Sequence, residues 1–427
     1  MTSLPVLGGI VVALIGLRLV PPGYRLYFAL ILLPLWITLN RLETLGTLSA
    51  IAKATSVFAY GLVGIAAWFH PGPRRRLPPV LWWYVAGAVI WMLCIAMSPS
   101  FLRNMLIQVQ WLVLVASALA VARVIADKTM LQYVFRAIGF GCLLSVFLLF
   151  YGSISSQHTI MRQDSRLWVF GANPNQYGTM LALGGVFALF FVFRDPRPAL
   201  RWVWLGGLVM AGLTGLMTGS RSVVVLLAVP AVALLLLGRG AVWIKVLATL
   251  AIVCVVAYSV GNAPAVSRIT NFSTDRTVIA QQYVGVILNR PLTGILGQTG
   301  FNVAHAPGLT HPHNAYLRLL YLGGLLLFIP HFILMVATAV GWLRLWRARR
   351  QMHFDQDFLV FFGSLMLVIY AHGFVNVAIY YPTYAWSFVH ILLSSVIIVS
   401  AHAMQPRSSY ELPESAMRMG SYSLSRP

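Results

Sequence analysis

Long apolar segments recur along almost the whole of this 427-residue chain, and they constrain its fold more than any other feature. A helix needs roughly 20 apolar residues to cross the hydrocarbon core of a bilayer. Segments of this kind leave one long interruption, at residues 260–314. Only 9% of the residues are charged, against about 25% in a soluble domain, so the chain lacks the polar surface that water requires. The sequence therefore predicts an all-α, polytopic bundle of transmembrane helices.

The positions of the apolar segments and of the basic loops predict the topology. Candidate spans fall near residues 4–20, 23–39, 54–69, 79–97, 103–123, 131–151, 175–193, 202–218, 222–238, 242–259, 315–343, 358–377 and 384–402. Short loops rich in Lys and Arg follow every second span, which marks one side of the membrane as cytoplasmic. Three segments precede the first of these loops, so we expect one of them to be interfacial or re-entrant. That leaves about 12 true spans with both termini inside.

The sequence predicts one membrane domain, over residues 1–402, with residues 260–314 inserted as a periplasmic loop. Within this loop Ser273-Thr274-Asp275 is typical of a helix N-cap, and the run that follows it ends before Pro291. We therefore expect a short helix that rests on the membrane or on other helices. Residues 403–427 are rich in Ser, Pro and Arg, and they are predicted to form a disordered cytoplasmic tail.

The balance of charged residues limits the classes of partner that the chain is expected to bind. The chain has 30 Lys and Arg against 9 Asp and Glu, and nearly all of the basic residues are Arg. This excess fits phosphate binding, because the guanidinium group matches phosphate oxygens, although a GC-rich genome gives the same bias. The charges are scattered between the spans, so nucleic acid is not an expected partner. The three cysteines are far apart inside apolar runs, which indicates neither a disulfide framework nor a zinc site.

Chemistry on the predicted periplasmic side depends on Arg and His, because Asp164 and Asp275 are the only carboxylates in the loops placed there. This argues against a paired-carboxylate hydrolase and against a carboxylate-held Mg²⁺ site, and no metal or cofactor is expected. Arg221 lies in a tight loop before a span, and Arg276 lies in the first turn of the loop helix, where a cation opposes the helix dipole. Each is placed to bind a phosphate. Each can also be explained as a side chain at the lipid headgroups or in solvent.

The most suitable general base is His313, which directly precedes the span predicted from Ala315. The positive end of the helix dipole keeps an imidazole neutral, so that it can accept a proton. Alternatively, His313 caps the helix or lies among the lipid headgroups. His313 and His311 without a nearby Cys or acid would form only a weak metal site. The histidines at 331, 372 and 390 lie within spans and are interpreted as satisfied interior residues.

Together these motifs resemble those of the O-antigen ligase and O-antigen polymerase superfamily of bacterial membrane glycosyltransferases. One is Asn-Pro-Asn at 173–175, where Pro174 lies near the first helical position and Asn175 is able to cap. The others are Thr-Gly-Ser-Arg-Ser at 218–222, Asp275-Arg276 followed by Pro291-Leu292 and Gly294, and His313-Asn314 opening a span that reaches Gly323-Gly324. Their order and spacing carry the resemblance over residues 130–400.

The resemblance implies a metal-independent transferase of the bacterial inner membrane that takes a glycan from undecaprenyl pyrophosphate at the periplasmic face. It is most like the O-antigen ligase, whose acceptor is the lipid A core, and membrane lipids are the other expected partners. By this resemblance Arg221 and Arg276 hold the pyrophosphate and His313 is catalytic. The candidate supporting residues are Arg166, Asn173, Asn175, His311 and Asn314.

Three other functions stay open. Gly324 is followed by three leucines, where the ligase pattern usually has a further Gly, Thr or Tyr. This leaves an O-antigen polymerase, or a protein O-oligosaccharyltransferase of the same superfamily, as alternatives. A secondary transporter is the alternative from a different class. It is disfavoured because transporters place ionisable residues near the bilayer midplane, whereas the notable charges here lie at the ends of spans.

Overall fold

The computed structural model describes eleven stretches of the chain, and the helices account for most of them. The described residues are 14–96, 101–155, 159–161, 167–172, 174–218, 221–237, 275–295, 314–349, 356–374, 380 and 384–404. The helices are α1 (Arg25–Leu39), α2 (Thr47–Ala54), α3 (Ser56–Trp68), α4 (Trp82–Ala96), α5 (Phe101–Val124), α6 (Lys128–Ile154), α7 (Pro174–Arg194), α8 (Pro198–Met217), α9 (Arg221–Leu237), α10 (Asp275–Asn289), α11 (Ala315–Ala348), α12 (Gln356–Gly373) and α13 (Ala385–Ala403). The strands are β1 (Thr159–Met161) and β2 (Leu167–Val169).

The described helices form a multi-pass membrane protein. Within the described stretches seven helices are long and apolar enough to cross a membrane, or eight if the bent pair α2 and α3 makes one span. All seven coincide with spans predicted from the sequence, which confirms the helical membrane class. The candidate span at 242–259 and most of that at 4–20 lie outside the described residues, so the total of about 12 spans stays a prediction.

Loops rich in arginine meet at one end of the bundle, which we call the basic end. The backbone N–H of Arg75 donates to the carbonyl of Arg123 at 2.7 Å, and its guanidinium donates to the carbonyl of Ala126. The last turn of α7 pairs with the first turn of α12 through Arg194 and Asp357. The opposite end, where α7, α9, α11 and α13 begin, is called the distal end. The positive-inside pattern predicts this grouping of the basic loops.

Two features depart from the sequence prediction. Helices α2 and α3 form a pair bent by 57°, and most of α2 lies between the predicted spans 23–39 and 54–69, where no helix was predicted. The bend occurs at Thr55, whose hydroxyl donates to the carbonyl of Ile51 at 2.6 Å and accepts from Trp36 Nε1 at 3.1 Å. The predicted loop 152–174 contains an antiparallel hairpin, in which Ile160 of β1 pairs with Trp168 of β2.

The centre of the bundle is an aromatic cluster shared by α6, α7 and α12. Phe190 of α7 stacks on Phe361 of α12 with ring centroids 4.3 Å apart, and Phe135 of α6 contacts Phe362 at 5.0 Å. Lipid tails are as apolar as these side chains, so close packing rather than exclusion from water stabilises such helix contacts. The aromatic geometry adds to that packing. The cluster joins α7 to α12, and α12 in turn contacts the start of α11, where the hydroxyl of Tyr316 donates to the carbonyl of Tyr370 at 2.8 Å.

Candidate functional site

Helix α11 is broken near its distal end, and the break organises the candidate site. Gly324 has φ 60° and ψ −152°, which interrupts the helix between Gly323 and Leu325. A break of this kind removes the usual carbonyl partners of the next amide groups. Those amides need other acceptors, because hydrocarbon offers none.

The segment after α10 supplies those acceptors. The N–H of Leu325 donates to the carbonyl of Pro291 at 2.9 Å, and the N–H of Leu326 donates to the carbonyl of Leu292 at 3.2 Å. In return the N–H of Ile295 donates to the carbonyl of Tyr321 at 2.9 Å. Residues 290–295 and 321–326, which we call the junction, are therefore joined by backbone hydrogen bonds. The sequence motifs Pro291-Leu292-x-Gly294 and Gly323-Gly324 meet here.

Two of the three glycines of the junction, Gly294 and Gly324, are required by the backbone geometry. Gly294 and Gly324 each have a positive φ, 54° and 60°, which other residues adopt only at a cost. A Cβ on Gly324 would overlap the backbone of Leu292, and a Cβ on Gly294 would overlap the carbonyl oxygen of Tyr321. These neighbours are backbone atoms within the hydrogen-bonded junction, so they have no room to move aside. The close approach of the two segments explains why glycine stands at both positions.

The junction and one aromatic pair align α10 with the start of α11. Tyr283 of α10 is fully buried and packs edge-on against Tyr321, with ring centroids 4.7 Å apart. The end of α10 and the break in α11 lie on the same side of this pair, so the two helices run in the same direction. Arg276 precedes Tyr283 by seven residues and Asn314 precedes Tyr321 by seven. The rise is therefore about 10 Å along each helix, and both helix starts lie on the same side of the contact.

Asn314 caps α11. Its Oδ1 accepts hydrogen bonds from the N–H groups of Tyr316 at 2.9 Å and Leu317 at 3.0 Å. The predicted start of the span at Ala315 is therefore confirmed, and the capping role belongs to Asn314. His313 precedes this cap in the sequence. Its structure, like that of His311, lies outside the described residues.

Arg318 is a charged residue of the site that sequence reasoning missed. It lies one turn after the cap, and its side chain is buried. Burial raises the pKa of Tyr283 to about 12 and the neighbouring Tyr321 raises it too, whereas the positive charge of Arg318 lowers it. Arg318 therefore faces α10. Arg318 could have been recognised in the sequence as a lone arginine within an otherwise apolar span. Ionisable residues inside a span are energetically costly and usually functional.

The other predicted site residues fall at distal helix starts or outside the described part. Arg221 is the first residue of α9 and Arg276 the second residue of α10, in agreement with the predicted placement of both at helix N-termini. Pro174 was predicted near the first helical position, which is confirmed, whereas Asn175, predicted to be able to cap, does not lie at the cap position. It is the second residue of α7, because Pro174 already begins that helix. Arg166 and Asn173 lie outside the described residues.

A second polar cluster lies inside the bundle. The rings of His331 and Tyr380 are 4.7 Å apart, and the ring of His390 lies 5.3 Å from Tyr370 and 5.8 Å from Tyr380. His331 is satisfied as predicted, with Nδ1 2.9 Å from the carbonyl oxygen of Leu327. One ring nitrogen each of His390 and His372, Nδ1 and Nε2 respectively, and the hydroxyl of Tyr380 are buried without a hydrogen-bond partner in the described structure. Buried polar atoms of this kind commonly bind water or another polar guest.

Nothing in the described part of the chain resembles a metal centre, since no three His, Cys, Asp or Glu side chains are grouped there to hold an ion. Comparison of the chain with protein-family models and with curated proteins found no match. The arrangement at the distal end is therefore interpreted from its own chemistry. It combines a buried guanidinium with helix N-termini on one side of a rigid backbone junction, which suits an anionic ligand.

Proposed function

We propose that this chain is a glycosyltransferase that works as an O-antigen ligase in the bacterial inner membrane. It transfers a glycan from undecaprenyl pyrophosphate to the lipid A core oligosaccharide at the periplasmic face, which corresponds to the distal end. The O-antigen polymerase and the protein O-oligosaccharyltransferase of the same superfamily are the nearest alternatives. All three activities use the same lipid-linked donor and differ in the acceptor.

The junction is the observation that carries this proposal. The sequence resemblance depends in part on two short motifs, at 291–294 and 323–324, that lie about 30 residues apart. Backbone hydrogen bonds join these motifs, and the two glycines with a positive φ are needed there. The helix that begins with Asp275-Arg276 and the helix that begins after His313-Asn314 consequently start on the same side. This is the arrangement that a shared site for an arginine and a histidine requires.

The proposed reaction needs two kinds of assistance. Arg221 and Arg276 bind the pyrophosphate and neutralise the charge that develops as the bond between it and the anomeric carbon breaks. His313 takes the proton from the acceptor hydroxyl while the oxygen forms the new bond to that carbon. The positive charge of Arg318 adds to the potential that favours the anionic donor. A lipid pyrophosphate is a good leaving group once it is neutralised, so Arg can act without a metal ion.

The test is transfer by the purified protein in the presence of EDTA, with lipid-linked donor and lipid A core acceptor. General-base assistance is worth about 10²–10⁴-fold, so His313→Ala should lose that factor while still binding the donor. His311→Ala is the matched control and should be milder. The wild-type rate should fall as the pH drops through the pKa of His313, expected below about 6.5. An active His313→Ala enzyme with an unchanged pH profile would exclude this residue as the base.

The acceptor is tested in a deletion strain. If the chain is the ligase, lipid A core without polymer should appear on a gel while lipid-linked polymer accumulates. Core that carries a single repeat unit would instead identify the polymerase. An intact surface polysaccharide with altered glycoproteins would identify the oligosaccharyltransferase.

A secondary transporter coupled to protons is the second candidate, and the cluster of His331, Tyr380 and His390 favours it. The charged residues at the ends of the spans disfavour a transporter. The imidazoles of His331 and His390, in contrast, lie inside α11 and α13. Buried ionisable groups of this kind mark ion pathways in transporters. Assays in proteoliposomes distinguish proton-coupled transport from glycan transfer. Substrate-driven proton uptake that His390→Gln abolishes would support transport, and its absence together with glycan transfer would exclude it.

A further inference from the structure

An apolar groove runs along the membrane-facing surface between α11 and α13. It has a volume of about 430 Å³ and lies next to Pro78 and Val80, before α4. Phe332, Val336 and Val340 of α11 form one wall. These three residues are four positions apart and partly exposed, so they make a single stripe on the helix surface.

At the basic end of the bundle the groove lies beside positively charged arginine side chains. Arg344 continues the stripe of α11 one turn after Val340, and His402 faces it from the end of α13. Neither side chain forms a hydrogen bond or an ion pair with any other described residue. Arg75 reaches the same end of α13, where its guanidinium donates to the hydroxyl of Ser400 at 3.5 Å. No acidic residue lines the groove.

The length of the groove matches one leaflet of a bilayer. Twelve residues separate Phe332 from Arg344, which corresponds to about 18 Å along a helix. Half of the hydrocarbon core is about 15 Å thick. A chain lying along the stripe from Arg344 would therefore cover the depth of the leaflet at the basic end, with its polar head beside Arg344 and His402.

We propose that this groove is a binding site for an anionic glycerophospholipid of the leaflet at the basic end. One acyl chain lies along Phe332, Val336 and Val340, and the phosphate lies between Arg344 and His402. A zwitterionic lipid fills the apolar part equally well, so the positive charge of Arg344 selects for net negative charge, and His402 offers a ring nitrogen to the phosphate. This site is separate from the junction, and it does not depend on the proposed transferase activity.

The experiment compares phosphatidylglycerol with phosphatidylcholine as probes. The full-length protein is purified in detergent and titrated with each lipid, and binding is followed by native mass spectrometry. We expect phosphatidylglycerol to bind more tightly. A cation near the headgroup contributes about fivefold, so Arg344→Gln should reduce this preference by about that factor. Arg197→Gln is the matched control, because it removes an exposed arginine of the basic end away from the groove. It should leave the preference unchanged.

A groove-filling variant tests the apolar wall. Val340→Trp should weaken the binding of both lipids without reversing the preference between them. The proposal is overturned if the wild type binds both lipids equally, or if Arg197→Gln lowers the preference as much as Arg344→Gln. It is also overturned if undecaprenyl phosphate displaces phosphatidylglycerol stoichiometrically, since the occupant would then be a carrier lipid. A stable dimer that Val340→Trp dissociates would identify a second copy of the chain as the occupant instead.

Discussion

The two ends of the bundle are held together in different ways. At the basic end Arg136 pairs with Asp195 at 2.5 Å, and the same buried carboxylate accepts a hydrogen bond from Trp204 Nε1 at 3.0 Å. At the distal end the junction contains no acidic residue, and backbone groups make its hydrogen bonds. Arg136 and Arg194 of the basic end are thus structural, whereas Arg221 and Arg276 lie in the first turns of helices, where the helix dipole opposes a positive charge. Substitution of Asp195 should therefore lower stability, whereas substitution of Arg276 should lower the rate of transfer.

The largest effect is expected at the junction. Gly324→Ala places a Cβ on the backbone of Leu292 and requires a positive φ, so we expect it to lower the free energy of unfolding by more than about 4 kcal/mol. Chemical denaturation in detergent measures this. Gly285→Ala is the control, because it lies in α10 with open space around it and should be neutral or slightly stabilising. Equal stability of the two variants would mean that the junction does not hold the distal end.

The next effect is expected at the basic end. Asp195→Asn removes the charge that compensates partly buried Arg136, and this should cost about 3 kcal/mol of stability. Transfer activity per folded molecule should be retained. Asp127→Asn makes the same charge change at an exposed helix cap, where its carboxylate accepts from Met130 N at 2.7 Å, and Asn caps about as well as Asp. A loss of activity without a loss of stability in Asp195→Asn would contradict a purely structural role.

Arg276→Lys should show the opposite pattern. A point ammonium cannot reproduce the bidentate fork of a guanidinium, and losing a charge-assisted contact costs about 1.5–3 kcal/mol. The transfer rate should fall about 10- to 100-fold, with unchanged denaturation. Arg197→Lys at the basic end is the matched control and should keep its rate. Near-normal transfer by Arg276→Lys would favour the solvent-facing role for this residue.

The smallest effect concerns the cap of α11. Asn314→Ala removes the acceptor for two backbone amides and should cost about 1 kcal/mol. Asn314→Asp should restore most of that stability, because a carboxylate caps as well. Both values come from the same denaturation assay. If Asn314→Ala were as damaging as Gly324→Ala, the cap rather than the junction would be the main support of the site.

The helices were predictable where a local signal marks the end of an apolar run. Asn314 directly before Ala315 is such a signal, because a capping side chain and the change from polar to apolar residues coincide there. At α10 the signal lies in Ser273-Thr274-Asp275, and the helix begins at Asp275 itself. The bend between α2 and α3 was missed, because residues 40–53 contain no comparable apolar run. Pro174 marked the start of α7 correctly, and Asn175 therefore lies inside the first turn rather than at the cap position.

The candidate site was only partly predictable, because its key contact is non-local. A pair of glycines such as Gly323-Gly324 inside an apolar run is equally typical of close helix packing, so the break could not be inferred from spacing. Its partner segment lies about 30 residues earlier. Arg318 was hidden for a related reason, since an arginine in a predicted span gives no indication of which neighbouring helix it faces.

The junction also fixes both ends of the chain segment between Ile295 and Tyr321. Closing a loop costs entropy that grows only with the logarithm of its length, so doubling the length adds about 0.6 kcal/mol. Insertions into residues 296–310, before His311, should therefore be tolerated far better than a substitution of Gly294 or Gly324. The junction therefore sets the relative position of α10 and α11 independently of the number of residues between Ile295 and Asn314.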